Sequence, residues 1–321
     1  GDMLRAGGAG TSSASFSLNG GSLDMTGHII GNATDAIAVT AAAGTLQNVQ
    51  QINGGATLDK TTTGTLILTG ANAYTGNTTV TAGVLRAQSN TALGAADGSA
   101  GTGTSVANNA ALELSGSISV GNEALTLNGS GVSSGGALRN VSGNNSFAGN
   151  ITLTTASRIN TDAGTLTLDV ASGNAISGTN TAVTFGGAGN TVVADAISTG
   201  SGTLTKDGSG TLVLRGTNSY TGTTTVSNGT LQVGSSNLGS TASSSAVSVN
   251  GASAASTVLA GSGTVGGSTL IVTGTLSPGD TGGADVGTLT FGNNLTVNSG
   301  STINLKLTAA DSTADADLNN F

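Results

Sequence analysis

The chain has 321 residues, of which 54 are glycine, and its formal net charge at pH 7 is −8. Only 7% of its residues are charged and 2% are aromatic, which argues against an ordinary enzyme. Eight basic residues spread along the chain exclude the electrostatic footprint of a nucleic-acid-binding protein. The absence of cysteine excludes disulfides and thiolate sites. A mean hydropathy of +0.16 with a single proline argues against disorder.

The first clear element is one copy of an internal repeat. Residues 60–88 align without gaps with residues 206–234, and 15 of these 29 positions are identical. Each copy continues to a Leu-Gly pair, so that the copies span 60–94 and 206–239. The shared positions, which we predict to be structural, are Gly64, Leu66, Leu68, Gly70, Asn72, Tyr74, Gly76, Val80, Gly83 and Leu85 in the first copy, and Gly210, Leu212, Leu214, Gly216, Asn218, Tyr220, Gly222, Val226, Gly229 and Leu231 in the second.

Apolar pairs at two-residue spacing continue between and beyond the copies, separated by Gly and Asn turns. Each pair is predicted to put two apolar side chains on one face of a short β-strand. Helical spacing is not sustained, and Gly, Thr and Val weaken helices throughout. The pairs are Leu112/Leu114, Leu125/Leu127, Leu166/Leu168, Val247/Val249, Leu270/Val272, Leu289/Phe291, Leu295/Val297 and Leu305/Leu307.

Many short strands with Gly and Asn turns fit a sandwich, a propeller or a solenoid. The strands are very short, the polar positions carry Thr, Ser and Asn, and aromatic residues for a wide sandwich core are almost absent. These features favour an all-β fold, a single parallel β-helix (β-solenoid) over residues 1–321. With about 20 to 25 residues per coil the chain would make roughly 13 to 16 coils.

The two copies resemble the passenger-associated transport repeat of autotransporters, the type V secreted proteins of Gram-negative bacteria. The resemblance is carried by Gly64–Gly76, Thr78–Val80 and Gly83–Leu85, and again by the segment from Gly210 to Leu231. The segment Gly274–Gly279 and the apolar pairs after it are similar to the last coils of such passengers. We therefore assign terminal coils to residues 264–308 and an acidic tail to residues 309–321.

The resemblance implies a right-handed parallel β-helix that is exported to the bacterial cell surface, either linked to the outer membrane or released. It also implies a C-terminal outer-membrane translocator in the parent chain, which is absent from this sequence. Expected partners are another copy of this chain, by end-to-end or lateral association, or a ligand on a host or other surface, and not nucleic acid.

Few residues of the sequence suggest a catalytic or ligand-binding function. His28 is the only histidine, and a lone histidine in a turn is more often solvated than catalytic. The string Gly186–Gly189 lacks the Lys-Ser pair and the helix of a phosphate loop. The chain has two glutamates, Glu113 and Glu123, and no two coils visibly align the carboxylates that an enzyme groove would need. The acidic residues are therefore interpreted as turn residues that keep the rod soluble.

The aspartates of the tail and the polar residues at the repeat corners are also explained by structural roles. Asp311, Asp315 and Asp317 could ligate calcium, but a frayed acidic tail explains them better. Tyr74 and Tyr220 are expected to cover a coil edge while their hydroxyls stay in water. Asn72 and Asn218 are expected to form corner or ladder hydrogen bonds.

The sequence thus predicts no catalytic, cofactor-binding or metal-ligating residue. The preferred function is a non-enzymatic extracellular β-helix that acts as a rigid stalk or adhesin and self-associates into aggregates or filaments. One alternative is a β-helix carbohydrate-active enzyme, a lyase or a glycoside hydrolase. Another is ice binding by a flat threonine array, for which the sequence shows no strict Thr-x-Thr period.

Overall fold

The computed structural model describes residues 1–5, 13–234, 240–241, 245–280 and 287–305. Apart from one 3₁₀ turn at Val132–Ser134, the regular structure in these ranges is β-strand. No helix within them could cross a membrane. The strands are β1 (Ala14–Asp24), β2 (Ile29–Ile30), β3 (Ile37–Gln47), β4 (Gln51–Ile52), β5 (Leu58–Lys60), β6 (Thr65–Thr69), β7 (Thr78–Val80), β8 (Gly83–Ala87), β9 (Thr104–Val106), β10 (Ala110–Ser115), β11 (Ser119–Val120), β12 (Leu125–Gly129), β13 (Leu138–Ser142), β14 (Asn145–Phe147), β15 (Ile151–Thr161), β16 (Thr165–Leu168), β17 (Asn174–Gly178), β18 (Val183–Gly186), β19 (Asn190–Val193), β20 (Ala196–Ser198), β21 (Leu204–Lys206), β22 (Thr211–Leu214), β23 (Thr224–Val226), β24 (Gly229–Val233), β25 (Val247–Asn250), β26 (Thr257–Gly261), β27 (Thr264–Val265), β28 (Thr269–Thr273), β29 (Thr275–Pro278), β30 (Thr290–Phe291), β31 (Leu295–Val297) and β32 (Thr302–Ile303).

The strands stack in parallel into a β-solenoid of about 12 turns, which confirms the predicted fold class. The turns vary in length: Leu259 pairs with Leu276, 17 residues further on, and Leu231 pairs with Leu259, 28 residues further on. The number of turns in the described residues is therefore close to the 13 to 16 coils predicted for the whole chain.

Each turn passes over three faces. Face A is built from β5, β7, β9, β12, the first half of β15, β17 and β20, and continues through bridges at Thr217 and Ser240 to β27 and β30. Face B holds β1, β3, β6, β8, β10, β13, the second half of β15, β18, β21, β23, β25, β28 and β31. Face C is the nine-stranded sheet from β11 to β32.

The interior is filled by aliphatic side chains that stack from turn to turn. On face B a continuous column of aligned residues is at most 1% exposed, and each fully buried leucine contributes about 1.5–3 kcal/mol. Stability in such a rod comes mainly from contacts between neighbouring turns. The column consists of Leu66, Leu85, Leu112, Leu138, Ile159 and Phe185.

Leu270, one residue of a predicted apolar pair, is exposed rather than buried in the core. Leu270 is 39% exposed, whereas its neighbour Ile271 is fully buried. The strand Thr269–Thr273 has apolar residues on both sides, so spacing alone does not choose its inner face. Pairing with β25 chooses it, because Val249 aligns with Ile271 and Ser248 aligns with Leu270.

Candidate functional site

The two repeat copies form the same local structure around the same buried residues. The four apolar positions of the first copy and the four of the second are at most 1% exposed, which places their side chains inside the solenoid. The conserved frame of the repeat is therefore a packing frame. These residues are Leu66, Leu68, Val80 and Leu85, and Leu212, Leu214, Val226 and Leu231.

The copies nevertheless lie on different faces. In the first copy, Leu58–Lys60 lies on face A and Thr65–Thr69 on face B. In the second copy, the corresponding Leu204–Lys206 lies on face B and Thr211–Leu214 on face C. The second repeat is rotated by one face around the axis, and its asparagine, tyrosine and lysine keep the same kinds of hydrogen-bond partner as in the first.

The corner asparagines tie together three successive turns, as expected. The backbone N–H of Val49 donates to Asn72 Oδ1 at 2.9 Å, and Asn72 Nδ2 donates to the carbonyl of Ala92 at 3.0 Å. In the second copy, the N–H of Ile197 donates to Asn218 Oδ1 at 2.8 Å, and Asn218 Nδ2 donates to the carbonyl of Ser240. The prediction of corner hydrogen bonds is confirmed.

The expectation for the tyrosine hydroxyls was wrong. Tyr74 and Tyr220 are fully buried, and their hydroxyls bond the hydroxyls of Thr78 at 3.1 Å and Thr224 at 2.8 Å. The threonine four residues after each tyrosine lies two positions before Val80 or Val226 in the same strand, so it points inward like the valine. It supplies the partner that water was expected to provide. Burial raises the pKa of both phenols, that of Tyr220 to about 12.

Each copy also contains a buried lysine that the sequence analysis did not predict. Lys60 and Lys206 are at most 2% exposed. Lys60 Nζ donates to the carbonyls of Thr62 and, at 3.2 Å, of Ala82 in the next turn. Lys206 Nζ likewise reaches the carbonyls of Gly208 and Asn228. Burial lowers the pKa of both ammonium groups, that of Lys206 to about 8.

The lysines were detectable, because Leu-x-Lys precedes the Gly-Thr-Leu strand in both copies. A lysine in a short strand normally points outward. The presence of lysine at the same position of both copies was therefore the only sequence signal that it is buried. The ammonium group of each lysine donates to carbonyls of two successive turns and so links them at the corner that ends in Gly83 or Gly229.

The repeat glycines stand where successive turns touch. A Cβ at any of them would lie within about 3 Å of main-chain or asparagine atoms of the preceding turn, so the close stacking requires a residue without a side chain. The glycines described in this way are Gly64, Gly70, Gly76, Gly83, Gly210, Gly216, Gly222 and Gly229.

A ladder of alternating charges joins four successive turns at face B, and the sequence analysis did not predict it. Glu113, only 2% exposed, pairs with Arg86 at 2.6 Å and with Arg139 at 3.0 Å. Arg139 also pairs with Asp162 at 2.5 Å. The hydrogen bond that Arg139 donates to Asp162, and then the charges of Asp162 and Glu113, raise the pKa of Arg139. The register that aligns Arg86 with Glu113 and Glu113 with Arg139 creates the ladder.

The second glutamate, Glu123, lies inside the solenoid. It is fully buried, accepts a hydrogen bond from the hydroxyl of Thr104 at 2.7 Å, and its Oε2 has no hydrogen-bond partner among the described residues. Desolvation raises its pKa to about 8, and the charge of Asp97 acts in the same direction. Glu123 is therefore held as a neutral carboxylic acid at pH 7, and it is not a solubilising turn residue.

Among the described residues, the other candidates from the sequence analysis do not come together in a catalytic or metal-binding cluster. His28 is partly exposed, and its Nδ1 lies 3.0 Å from Asp2 Oδ1. The described residues contain no group of three or more His, Cys, Asp or Glu side chains that could hold a metal ion. Asp311, Asp315 and Asp317 lie outside the described residues. Gly186 and Gly189 sit in corners of the solenoid and pack against the preceding turn.

The two copies match a known family of repeats. The model of the passenger-associated-transport-repeat family matches residues 58–87 and 204–233. Both segments are passenger-associated-transport repeats. The predicted resemblance is confirmed, and the matched ranges begin at Leu58 and Leu204, so they include the buried lysines.

A second comparison agrees with the first. The chain is similar to the adhesin BmaC autotransporter of Brucella suis biovar 1 (strain 1330), with 41% identity over 108 residues. The matched part covers 29% of this chain and 3% of that relative, so the chain spans a small fraction of the relative's length. No solved structure matches the chain.

Proposed function

We propose that this chain is a segment of an autotransporter adhesin, displayed at the surface of a Gram-negative bacterium, in which it acts as a rigid and non-enzymatic β-solenoid. The observation that carries the proposal is that both passenger-associated-transport repeats are complete and stacked into one continuous rod. The adhesive part is supported by the similarity to an adhesin autotransporter. A secreted, cell-surface location follows from the same likeness.

The carboxylates support a structural role rather than the rival role in polysaccharide cleavage. Lyases and glycoside hydrolases need carboxyl groups that reach a substrate in a groove. Here Glu113 and Asp162 are held by arginines of neighbouring turns, and Glu123 is enclosed in the interior. The charged groups thus stabilise the stack of turns.

Stiffness follows from the same stacking. About 12 turns at ~4.8 Å per turn make a rod on the order of 60 Å long. Face B joins the turns by parallel strand pairing from β1 to β31, the sheet of face C adds pairing from β11 to β32, and asparagine side chains add bonds at the corners. Such a segment holds whatever lies at one end at a fixed distance from the other.

Adhesion is tested with the purified chain on latex beads. We expect coated beads to attach to cultured epithelial cells, and soluble chain to compete the attachment away. Albumin-coated beads serve as the control. In parallel, neither unsaturated uronates nor new reducing ends should appear when the chain is incubated with pectin, alginate and xylan. Attachment equal to that of the albumin beads would remove the adhesive role, and turnover of any polysaccharide would favour the enzymatic rival.

We also propose that this chain self-associates end to end. Its last described turn exposes the apolar side chains of Leu295 (37%), Ile303 (53%) and Leu305 (47%), and clustered exposed apolar side chains favour association. Sedimentation velocity should show species larger than a monomer as the concentration rises, and the Ile303→Lys variant should remain monomeric because it places a charge at the junction. A wild-type chain that is monomeric at all concentrations contradicts this proposal.

A further inference from the structure

The corner between faces A and B has an unusual shape halfway along the rod. Strand β15 turns this corner through Thr154, Thr155 and Ala156, which are exposed and which we call the corner ridge. One cleft lies on each side of the corner ridge, with a volume of about 320 Å³ on face B and about 280 Å³ on face A. Ligand pockets span about 300–1,000 Å³, so the face B cleft is at the low end of that range and the face A cleft is just below it. Clefts of this size suit one sugar ring.

The face B cleft is lined by hydroxyls. Ser130 and Ser134 come from the overhanging loop between β12 and β13, and Ser157 and Thr184 come from the strands beneath. Ser133 and Ser134 have φ angles of +50° and +60°, a left-handed conformation that is strained in residues other than glycine. Both serines are exposed, so core packing does not impose the strain. Backbone strain of this kind is concentrated at binding sites.

The face A cleft adds a second and independent feature. It is lined by Thr152, Thr154, Gly178, Thr179 and Thr181. Thr181 is 9% exposed, and its hydroxyl is buried against Gly178 without a hydrogen-bond partner among the described residues. A buried polar group without a partner is costly, and such groups mark places where a bound group completes the hydrogen bonding.

The clefts carry no net charge. Arg158 lines the face B cleft, but its guanidinium is bound bidentately by Asp207 at 2.7 and 3.0 Å and also donates to Asn160. Gly186 makes this pairing across a turn feasible, because a side chain there would collide with the guanidinium. The ligand that fits such hydroxyl-lined walls is itself uncharged and rich in hydroxyls.

We propose that the corner ridge is a binding site for an uncharged glycan, with one sugar ring in each cleft. The proposal deepens the adhesive role and rests on it. A peptide ligand is disfavoured, because the strands beside the clefts are paired on both sides and offer no free edge for strand addition. The neutral lining likewise disfavours sialylated and uronate glycans.

The test starts with the purified wild-type chain on an array of neutral oligosaccharides (terminated by glucose, galactose, mannose or N-acetylglucosamine) and of sialylated and uronate-containing ones. We expect binding among the neutral group only. Calorimetry with the best neutral oligosaccharide then compares variants. Thr181→Val removes the unpartnered hydroxyl, and Ser134→Gly removes a cleft hydroxyl while relieving the strain. Each should weaken binding by about tenfold, the effect of one hydrogen bond of ordinary strength.

The matched control is Thr225→Val, which removes a hydroxyl from the outer side of face B away from both clefts. It should bind as the wild type does. Urea unfolding of the variants separates folding from binding, since Ser134→Gly should be at least as stable as the wild type. Equal affinity in all three variants, or binding confined to anionic glycans, overturns the proposal. Beads that adhere to cells while the array stays blank also overturn it and leave the adhesive role standing, whereas failure of adhesion removes the proposed function.

Discussion

Alanine at Gly83 or at Gly229 is expected to lower the free energy of unfolding by about 3 kcal/mol, with equal effects in the two copies. Both glycines have a left-handed φ, +70° and +71°. A Cβ at Gly83 would lie 2.5 Å from the carbonyl oxygen of Gly64, and one at Gly229 would lie 2.8 Å from Lys206 Nζ and closer still to two carbonyls. Main-chain oxygens of a stacked turn cannot move aside, so the turns must separate. Urea unfolding followed by circular dichroism measures the loss.

The matched control is Gly173→Ala. Gly173 also has a positive φ, +92°, but no atom lies within 4 Å of a Cβ built there. Alanine at this position should therefore cost about 1 kcal/mol, the conformational part alone. A loss at Gly83 no larger than the loss at Gly173 would show that close stacking at the repeat corner does not stabilise the rod. Unequal losses at Gly83 and Gly229 would show that the face on which a repeat lies alters its stability.

Replacing Glu123 with glutamine is expected to stabilise the chain at pH 9 by a few kcal/mol and to leave its stability at pH 4 almost unchanged. Burial raises the pKa of Glu123 from its ordinary value of 4.5 to about 8. The folded chain therefore holds a proton that the unfolded chain has released, and wild-type stability falls by about 1.4 kcal/mol per pH unit between those two values. Glutamine does not titrate, and its Oε1 can still accept the hydrogen bond from Thr104.

Subtracting the wild-type from the variant free energy of unfolding at each pH cancels the contributions of all other titrating groups. The difference should rise from pH 4.5 to about 8 and then become flat. The other glutamate supplies the control: Glu113→Gln removes the charge that pairs with Arg86 and Arg139, so it should destabilise the chain by about 1–3 kcal/mol at pH 7. A difference for Glu123→Gln that does not change with pH contradicts the assignment of a neutral buried carboxyl.

In alkaline solution, the glycine corners and the buried Glu123 contribute to the stability of the rod with opposite signs. A stack that gains stability through its glycine corners depends on close contact between successive turns, which local sequence can specify repeatedly. A buried neutral acid, by contrast, makes the rod less stable in alkaline solution. The contribution of Glu123 to the stability of the solenoid is therefore complete below pH 4.5 and is lost as the pH rises to about 8.

Local sequence predicted the features that depend on one turn of the coil. The Leu-x-Leu pairs showed where strands form, and the Gly-x-Asn corners showed where turns bond to one another, because those effects need only a few neighbouring residues. Leu270 shows the limit: where both sides of a strand are apolar, spacing cannot choose the inner side, and only pairing with the preceding turn does so.

What the sequence by itself determined is a parallel solenoid with two repeat copies whose packing frame is readable residue by residue. The tertiary structure alone decided which groups from different turns meet. It placed Glu113 between Arg86 and Arg139, enclosed Glu123, Tyr74 and Lys60, and put the second repeat one face around from the first. The reason is register: turns of 17 to 28 residues accumulate shifts along the rod, and contacts between turns depend on the sum of those lengths rather than on any local pattern.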